Sequence, residues 1–318
     1  KYRAHGALLP LKRLSMPTDP SPDSDRLTRF ILEHAGVRGV RVHLRDAWAQ
    51  IRTRGDYPPT VGELLGEATA AAALFTGHAK IDGRLSVQLR GEGALRTLFA
   101  ECTAAGTLRA IAQLAEDDAT PISRDLRELG GNAVLAITIE NPSSSGREPM
   151  RYQGMVELTA DTLSGAFEQY FRQSEQLPTR LLLAADAHAA AGLMLQKLPG
   201  DAGDDDGWTR VGALFDTLTP RELLDWSADT LLTRLFHEDA PQTLGGDKPL
   251  RFACSCSRER VAAMLQSLGI DEARAAVIDG SARVHCEFCG QHYAFAAIEV
   301  DALFIRASSQ MQAPERLQ

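Results

Sequence analysis

The sequence predicts an α+β protein with a large N-terminal α/β domain containing antiparallel sheets, a helical linker and a small C-terminal domain. Three observations lead to this prediction. Strand-like alternation mixes with Ala- and Leu-rich helical runs across residues 24–199. The Asp- and Gly-rich stretch GDAGDDDG at 200–207 then interrupts that pattern. Beyond residue 250, four of the five cysteines fall into two close pairs.

Length and charge narrow the class of protein. The 318 residues suffice for one large and one small domain, and 44% hydrophobic content fits a soluble globular protein. A net charge of −8 without a basic stripe disfavours nucleic acid as a partner, and no apolar run approaches the roughly 18 residues of a membrane span.

Met16 is a plausible natural start, so residues 1–23 are predicted to be a tag or disordered extension. Without an export signal we expect a cytoplasmic protein, where paired cysteines more often bind metal or act in redox chemistry.

Residues 24–199 are predicted to form the N-terminal core domain. VRGVRVHL alternates as a strand, and Thr60 with Glu63 can cap the helical run PTVGELLGEATAAAALFTGHA. Asp82-Gly83 predicts a tight turn, and LRTLFAEC, TLRAIAQL and AVLAITIE continue as antiparallel strands. After the strand GMVEL, the sequence up to Pro199 favours a largely helical second half.

Residues 200–249 are predicted to form an acidic, apolar-rich helical linker. Residues 200–250 hold eleven Asp and Glu against four Lys and Arg. Thr219 and Ser227 can each cap a short helix, and such helices depend on docking to a neighbour. Two interpretations stay open: an ordinary helical hairpin packed on the core, or a linker that switches between docked and released states. The large apolar candidates for linker function are Trp208, Leu214, Phe215, Leu223, Trp226, Leu235 and Phe236.

Residues 250–306 are predicted to form a C-terminal unit too small to be stable unaided. Ser257 can cap a helix that ends at Gly269, and Asp279-Gly280 predicts a turn before the strand ARVHC. A unit of this size needs a cross-link or a metal. Residues 307–318 are predicted to be a disordered tail.

The paired cysteines supply the metal-binding pattern. Cys286-x-x-Cys289, followed by Gly290, has the form of a zinc knuckle. Cys254-x-Cys256 places two sulfurs on the same side of an extended chain. The spacing therefore predicts one tetrahedral Zn²⁺ per chain held by four thiolates, a closed site with no open position for catalysis.

Two histidines and the fifth cysteine are not expected to bind the metal. With four thiolates available, His285 and His292 are expected to be bystanders, and Cys102 is expected to be a partly buried structural thiol.

The paired cysteines also permit redox chemistry, because sulfurs one or two residues apart remain neighbours without their metal. Oxidation of one thiolate to sulfenic acid would let its neighbour condense with it, which would remove ligands and release zinc.

Several stretches in register resemble the heat shock protein 33 family of redox-regulated chaperones. They are DGRLSVQLRGEG, YQGMVEL, YFRQSEQLPT, AAGLMLQKLP, RLFHE, and CSC with CEFC around SRERVAAMLQSLG. The resemblance implies zinc ligation by Cys254, Cys256, Cys286 and Cys289, and on oxidation the disulfides Cys254–Cys256 and Cys286–Cys289. It further implies zinc release, linker unfolding, ATP-independent binding of unfolding clients, a homodimer when active, and hand-over to ATP-dependent chaperones. Residues 1–23 and the acidic entry GDAGDDDG depart from the family pattern.

Three other functions fit the sequence less well than this interpretation. A zinc-ribbon nucleic-acid-binding protein is disfavoured because residues 251–306 carry six Arg against seven Asp and Glu. A thiol–disulfide oxidoreductase normally places its Cys-x-x-Cys at a helix start, whereas Cys286 follows a predicted strand. A hydrolase is disfavoured because Ser174 lacks a recognisable base or nucleophile elbow. The sequence thus predicts a non-enzymatic protein.

Overall fold

The computed structural model describes residues 25–79, 81–116, 120–130, 132–142, 150–200 and 203–311, with side chains up to residue 305. The N-terminal extension predicted at 1–23 lies outside these residues. The strands are β1 Arg26–Leu32, β2 Val37–Leu44, β3 Arg84–Arg90, β4 Leu95–Thr103, β5 Thr107–Leu114, β6 Val134–Asn141, β7 Met150–Val156, β8 Thr179–Ala185, β9 Ala190–Lys197, β10 Pro241–Thr243, β11 Lys248–Pro249, β12 Arg251–Phe252, β13 Val277–Ile278, β14 Ser281–His285 and β15 His292–Ala296. The helices are α1 Asp46–Arg52, α2 Pro59–His78, α3 Leu163–Tyr170, α4 Gly207–Phe215, α5 Pro220–Asp225, α6 Ala228–Phe236, α7 Arg258–Leu268, α8 Ile270–Ala275 and α9 Ala297–Met311.

Two mainly antiparallel sheets form the N-terminal core. The first sheet has the order β10-β1-β2-β9-β8, with β11 also paired to β1. The second has the order β12-β5-β4-β3-β6-β7, in which only the β12–β5 pairing is parallel. The predicted α+β class with antiparallel sheets is confirmed. Among the described residues, no helix is both long and apolar enough to cross a membrane.

Helix α2 lies between the two sheets and is buried on almost all sides. Its buried positions run from Val61 to Thr76, and they join side chains of both sheets in one core cluster. A helix that is apolar all round belongs in such an interior. The predicted cap at Thr60 is wrong: the N-cap is Pro58, without a side-chain cap, and Pro59 occupies the first turn, where proline needs no N–H partner.

The predicted helical second half of the core domain is also wrong. Only α3 and the single π-helical turn Phe171–Glu175 are helical there, and the following residues form β8 and β9. Strand β9 is buried from Ala190 to Gln196, because α2 covers one face of its sheet and the linker helices cover the other. A strand buried on both faces loses the alternation that identifies strands in a sequence.

The acidic segment packs on the face of the first sheet opposite α2. Val211, Phe215, Leu223, Leu231 and Phe236 form a second core cluster with side chains of β1, β2 and β9. The seven linker candidates all belong to this cluster or pack against it: Trp208, Leu214, Phe215, Leu223, Trp226, Leu235 and Phe236. The predicted caps are confirmed, with a complete capping box at Thr219 and Glu222 and a cap at Ser227.

Two stacked aromatic rings form part of this docking surface. The Phe30 ring lies over Gly39 of the paired strand, where an added Cβ would lie 2.1 Å from the ring. On its other side Phe30 stacks with Phe236, with 6.4 Å between the ring centroids. Glycine at 39 therefore makes room for the ring that receives the last turn of α6.

Polar contacts also hold the linker on the sheet. Buried His43 contacts the Leu224 carbonyl through Nε2 at 2.8 Å, and buried Arg41 donates to the Trp226 carbonyl. Arg210 of α4 pairs with the buried carboxylate of Asp239 at 2.5 Å and with Asp204 at 3.0 Å. Because β10 and β11 both pair with β1, the end of the segment is part of the first sheet.

The C-terminal module has a small core of its own. Six buried residues form it: Val261, Leu265, Ala273, Ala282, Phe295 and Val300. Ser257 caps α7 and Gly269 ends it, as predicted, and a turn at Asp279-Gly280 joins β13 to β14. Helix α9 continues to Met311, so residues 307–311 of the predicted tail are helical, and residues 312–318 lie outside the described residues.

We expect Phe236→Ala to loosen the linker selectively. The substitution removes a fully buried ring that stacks on Phe30. Losing a buried Phe side chain costs about 3–5 kcal/mol, which short helices cannot replace by their own propensity. Hydrogen–deuterium exchange should accelerate in α4–α6 while α2 stays protected. The control is Leu244→Ala in the same segment, where the side chain is 43% exposed. Equal exchange in the two variants would contradict the docking described here.

Candidate metal centre

The Cys254–Cys256 pair is positioned by the second sheet of the core. Strand β12 pairs with β5, and the Ala253 amide continues the pairing by donating to the Leu108 carbonyl at 3.0 Å. Extended backbone then carries both cysteines before α7 begins after its cap at Ser257. One cysteine pair is therefore a direct extension of the core sheet.

The Cys286–Cys289 pair lies on a tight turn between β14 and β15. The Cys286 carbonyl accepts from the Cys289 amide at 3.3 Å and from the Gly290 amide at 2.8 Å, and the Cys286 amide donates to the Gln291 carbonyl at 2.9 Å. Gly290 has φ +76°, a conformation that side chains disfavour. This is the knuckle geometry that the sequence predicts.

All four sulfurs converge on one point. The Sγ atoms of Cys254, Cys256, Cys286 and Cys289 lie within 4.8 Å of one another. Cys254 and Cys286 are 3.7 Å apart, and Cys256 and Cys289 are 3.3 Å apart, with all four as free thiols. A tetrahedral metal with metal–sulfur bonds of about 2.3 Å needs sulfur–sulfur edges of roughly 3.8 Å. The donor set and its spacing therefore fit a four-thiolate metal ion.

The protonation of the cluster also suits a cation. Burial alone would raise the pKa of Cys256, but hydrogen bonds from Tyr293 and the neighbouring thiols lower it to about 7. For Cys289, burial and the neighbouring thiols raise the pKa to about 12. The thiolate of Cys256 is thus stabilised by its neighbours, whereas the neighbouring thiols oppose deprotonation of Cys289. A divalent ion would remove that opposition and displace the remaining protons.

Tyr293 supports the cluster from outside. Its hydroxyl donates to the Cys256 sulfur at 3.1 Å. Such outer contacts orient ligands and tune a metal site. No sequence pattern points to Tyr293, because it lies 37 positions from Cys256.

The turn that carries Cys286 and Cys289 also docks against the core. Between the two cysteines, Phe288 packs edge-to-face on Phe99 of β4 at 5.7 Å, and the Arg109 guanidinium of β5 lies 4.5 Å from its ring centre. Glu287 accepts a hydrogen bond from Gln113 at 2.7 Å. The residues between Cys286 and Cys289 therefore contact the core sheet.

Arg109 connects this contact to the ligands. Its guanidinium pairs with the buried carboxylate of Glu101 at 2.8 and 3.0 Å and also interacts with the Cys254 side chain. On the other flank, Arg54 donates to the Cys289 carbonyl at 2.8 Å and lies over the Phe252 ring. Sequence reasoning missed both arginines, because nothing local distinguishes them from surface residues.

The remaining candidates lie outside the cluster. His285 and His292 stack at 4.6 Å as a cross-strand pair and are not part of the four-sulfur group. Cys102 is 1% exposed in β4, and burial raises its pKa to about 11.

The fold and the cluster together define a two-sheet core protein with an appended module that carries four clustered cysteines. A family model described as Hsp33 protein matches residues 25–296. The chain therefore belongs to the Hsp33 family, a family of chaperones.

Known relatives agree with this assignment over nearly their whole length. The 33 kDa chaperonin of Pseudomonas fluorescens (strain SBW25) is 41% identical over 293 residues, covering 90% of this chain and 95% of the relative. That of Ectopseudomonas mendocina (strain ymp) is 42% identical over 302 residues, covering 92% and 99%. The crystal structure of the 33 kDa chaperonin (heat shock protein 33 homolog) from Thermotoga maritima matches with a TM-score of 0.68 at 19% identity, covering 90% and 99%. The last match supports the fold.

We expect Tyr293→Phe to weaken metal binding at the cluster. The change removes only the hydroxyl that donates to Cys256. Loss of an outer-shell partner typically reduces metal affinity about 10- to 100-fold. Competition between Co²⁺-loaded protein and a chromophoric chelator measures the affinity through the thiolate-to-metal absorption. Tyr152→Phe is the matched control, because its hydroxyl bonds to Tyr170 at 3.1 Å instead. An unchanged affinity in Tyr293→Phe would show that this contact does not support the ligand.

Proposed function

We propose that the protein is a redox-regulated, ATP-independent holdase that binds unfolding proteins after oxidative stress. Membership of the Hsp33 family supports the chaperone activity. The convergence of four reduced cysteines at the junction of module and core supports the proposed redox regulation. In this proposal residues 200–249 are the linker and residues 250–306 are the redox-switch domain.

The proposed cofactor is one Zn²⁺ per chain in the reduced state, held by Cys254, Cys256, Cys286 and Cys289. Four thiolates leave no open coordination position, which suits a structural ion. Structural zinc contributes on the order of 10–16 kcal/mol to small domains. With only six residues in its buried core, the module needs such a contribution.

Oxidation would remove this contribution in two balanced steps. A peroxide takes two electrons from one thiolate, giving a sulfenic acid and hydroxide. The neighbouring thiolate then attacks that sulfur and expels a second hydroxide, so a disulfide forms. Two peroxides convert the four thiolates into Cys254–Cys256 and Cys286–Cys289, and the released Zn²⁺ keeps its charge.

The pairing within each motif favours release of the module. A disulfide between sequence neighbours closes a very short loop and leaves the two halves of the site unlinked. A bond across the site, such as Cys256 to Cys289, would join α7 to the β-turn and keep the module folded. Although cross-site sulfurs are close in the reduced cluster, only the neighbour pairing permits the unfolding that we propose.

The linker would supply apolar surface for clients when it undocks. The proposed client-binding residues are Trp208, Leu214, Phe215, Leu223, Trp226, Leu235 and Phe236. They cover the first sheet in the reduced form, so undocking would expose both surfaces. The negative charge of the segment would help the open state to remain dispersed.

The contact between module and core provides a route from metal to linker. Loss of zinc would free the Cys286–Cys289 turn, so Phe288 would leave Phe99 and Arg109. The extended segment that carries Cys254 would then lose its metal anchor. This segment continues β12, which is joined to β11 by the single residue Leu250. Strain in β12 would act on the β11–β1 pairing, which holds the end of the linker on the first sheet.

Further parts of the proposal concern its setting. We propose that the active form is a homodimer, that clients pass to ATP-dependent chaperones, and that the protein acts in the cytoplasm. It is proposed to have no enzymatic activity and to act without nucleic acid or membrane.

Oxidation of the zinc-loaded protein tests the proposal. Peroxide at mild heat, or hypochlorite, should release zinc, consume four thiols and suppress light scattering by a denaturing client in parallel. Mass spectrometry of peptides should find Cys254–Cys256 and Cys286–Cys289. Cys102→Ser is the control and should switch normally, because its buried thiol stays protonated and reacts slowly. Equal client protection by the reduced, zinc-bound form would show a chaperone without a redox switch.

Phe288→Ala tests the proposed route. The variant keeps all four ligands but loses the ring that packs on Phe99 and Arg109. Removing a half-buried ring should cost about 1–3 kcal/mol, so activation should occur at lower temperature or oxidant dose. Client light scattering measured across an oxidant titration reports the midpoint. Ile278→Ala, 70% exposed in the same module, is the matched control. Identical midpoints in the two variants would remove Phe288 from the route.

A further inference from the structure

A cavity whose lining includes none of the four clustered cysteines lies between the two sheets of the core. Its volume is about 400 Å³, within the range of small-molecule sites. It lies at the end of α2, where Phe75, Tyr170 and Phe171 provide aromatic walls and Leu85 and Ile137 provide aliphatic ones. The π-helical turn Phe171–Glu175 forms part of its rim. Nothing in the proposed zinc switch uses this space.

The polar end of the cavity is built around Arg38 of β2. Its Nη2 donates to His78 Nε2 at 3.0 Å, and its Nε donates to Gln196 Oε1 at 3.1 Å. Burial lowers the pKa of His78 to about 4, so this ring is a neutral acceptor. Both partners of the guanidinium are therefore neutral.

The arginine has no compensating anion among the described residues. None of the ion pairs within 4.0 Å in the described part of the chain includes Arg38, and burial lowers its pKa without an offsetting carboxylate. Glu175 lines the cavity but is exposed to solvent at the rim. A half-buried cation without an anion is electrostatically costly, and an anionic ligand would offset that cost.

The surrounding contacts fix the guanidinium in place. Gln196 is 1% exposed, and its Nε2 donates to Thr179 Oγ1 at 3.2 Å, which leaves Oε1 directed at Arg38. On the opposite wall the hydroxyls of Tyr152 and Tyr170 bond to each other at 3.1 Å. The cavity thus combines one preorganised cation, two hydroxyls and an otherwise apolar lining.

We propose that this cavity binds a small amphipathic monocarboxylate, an alkyl or aryl acid, with its carboxylate on Arg38. One guanidinium matches one carboxylate, since the paired N–H donors and oxygens share a planar geometry. The apolar body would lie against Phe75, Tyr170 and Phe171. Phosphorylated ligands fit less well, because Arg38 is the sole cation among the described lining residues. The site is independent of the zinc centre.

Titration calorimetry on the reduced full chain tests the proposal. Octanoate and phenylpropionate should bind saturably, each more tightly than its neutral counterpart, octanol or phenylpropanol. Arg38→Gln should weaken the acids by about 10-fold or more and leave the alcohols nearly unchanged, because hydrogen bonds to a charged group contribute most of that difference. Arg180→Gln, an arginine outside the cavity, should leave the binding of the acids unchanged.

A second variant keeps the test valid if Arg38→Gln folds poorly. Ala79→Leu adds bulk at the wall while retaining Arg38, and it should reduce binding of acids and alcohols alike. Circular dichroism and melting curves report whether each variant is folded. Absence of saturable binding by both acids, equal affinity for acid and alcohol, or unchanged acid binding in a folded Arg38→Gln variant would each overturn the proposal.

Discussion

The constraint at the junction of the C-terminal module and the core is the close approach of four cysteine sulfurs. Four thiolates within 4.8 Å cannot coexist without protons or a cation between them. The described residues give the module a small apolar core of six buried side chains, which offers little to offset that repulsion. In the proposed zinc-bound form, the ion between the sulfurs would be the interaction that holds α7, the β14–β15 turn and their contact with the core in place.

This junction reaches the rest of the molecule because the clustered cysteines lie at connections between units. Cys254 follows directly from β12 in the second sheet, while β11, just before it, belongs to the first sheet. Phe288, between two ligands, contacts Phe99 and Arg109 of the core. The linker helices have between six and nine residues each and are held by burial on the first sheet. Short helices of this kind respond strongly to any loss of docking.

Sequence patterns predicted the local features of the molecule well. The cysteine spacing identified the four clustered sulfurs, and the caps at Thr219, Ser227 and Ser257 appear where expected. Each cap depends on residues close in the chain, and the cluster is built from two cysteine pairs that are each close in the chain. The strand β9 escaped prediction because burial on both faces removed its alternation. Tyr293, Arg109 and the cavity around Arg38 escaped it because their partners are distant in sequence, and only the tertiary fold brings them together.

The central claim is that the metal holds the linker closed from a distance. It is tested most directly by following zinc release and amide exchange in α4–α6 on the same sample during stepwise oxidation. The account predicts that residues 207–236 lose protection in proportion to the zinc released, while α2 stays protected. Full protection of the linker after all zinc has left would contradict it.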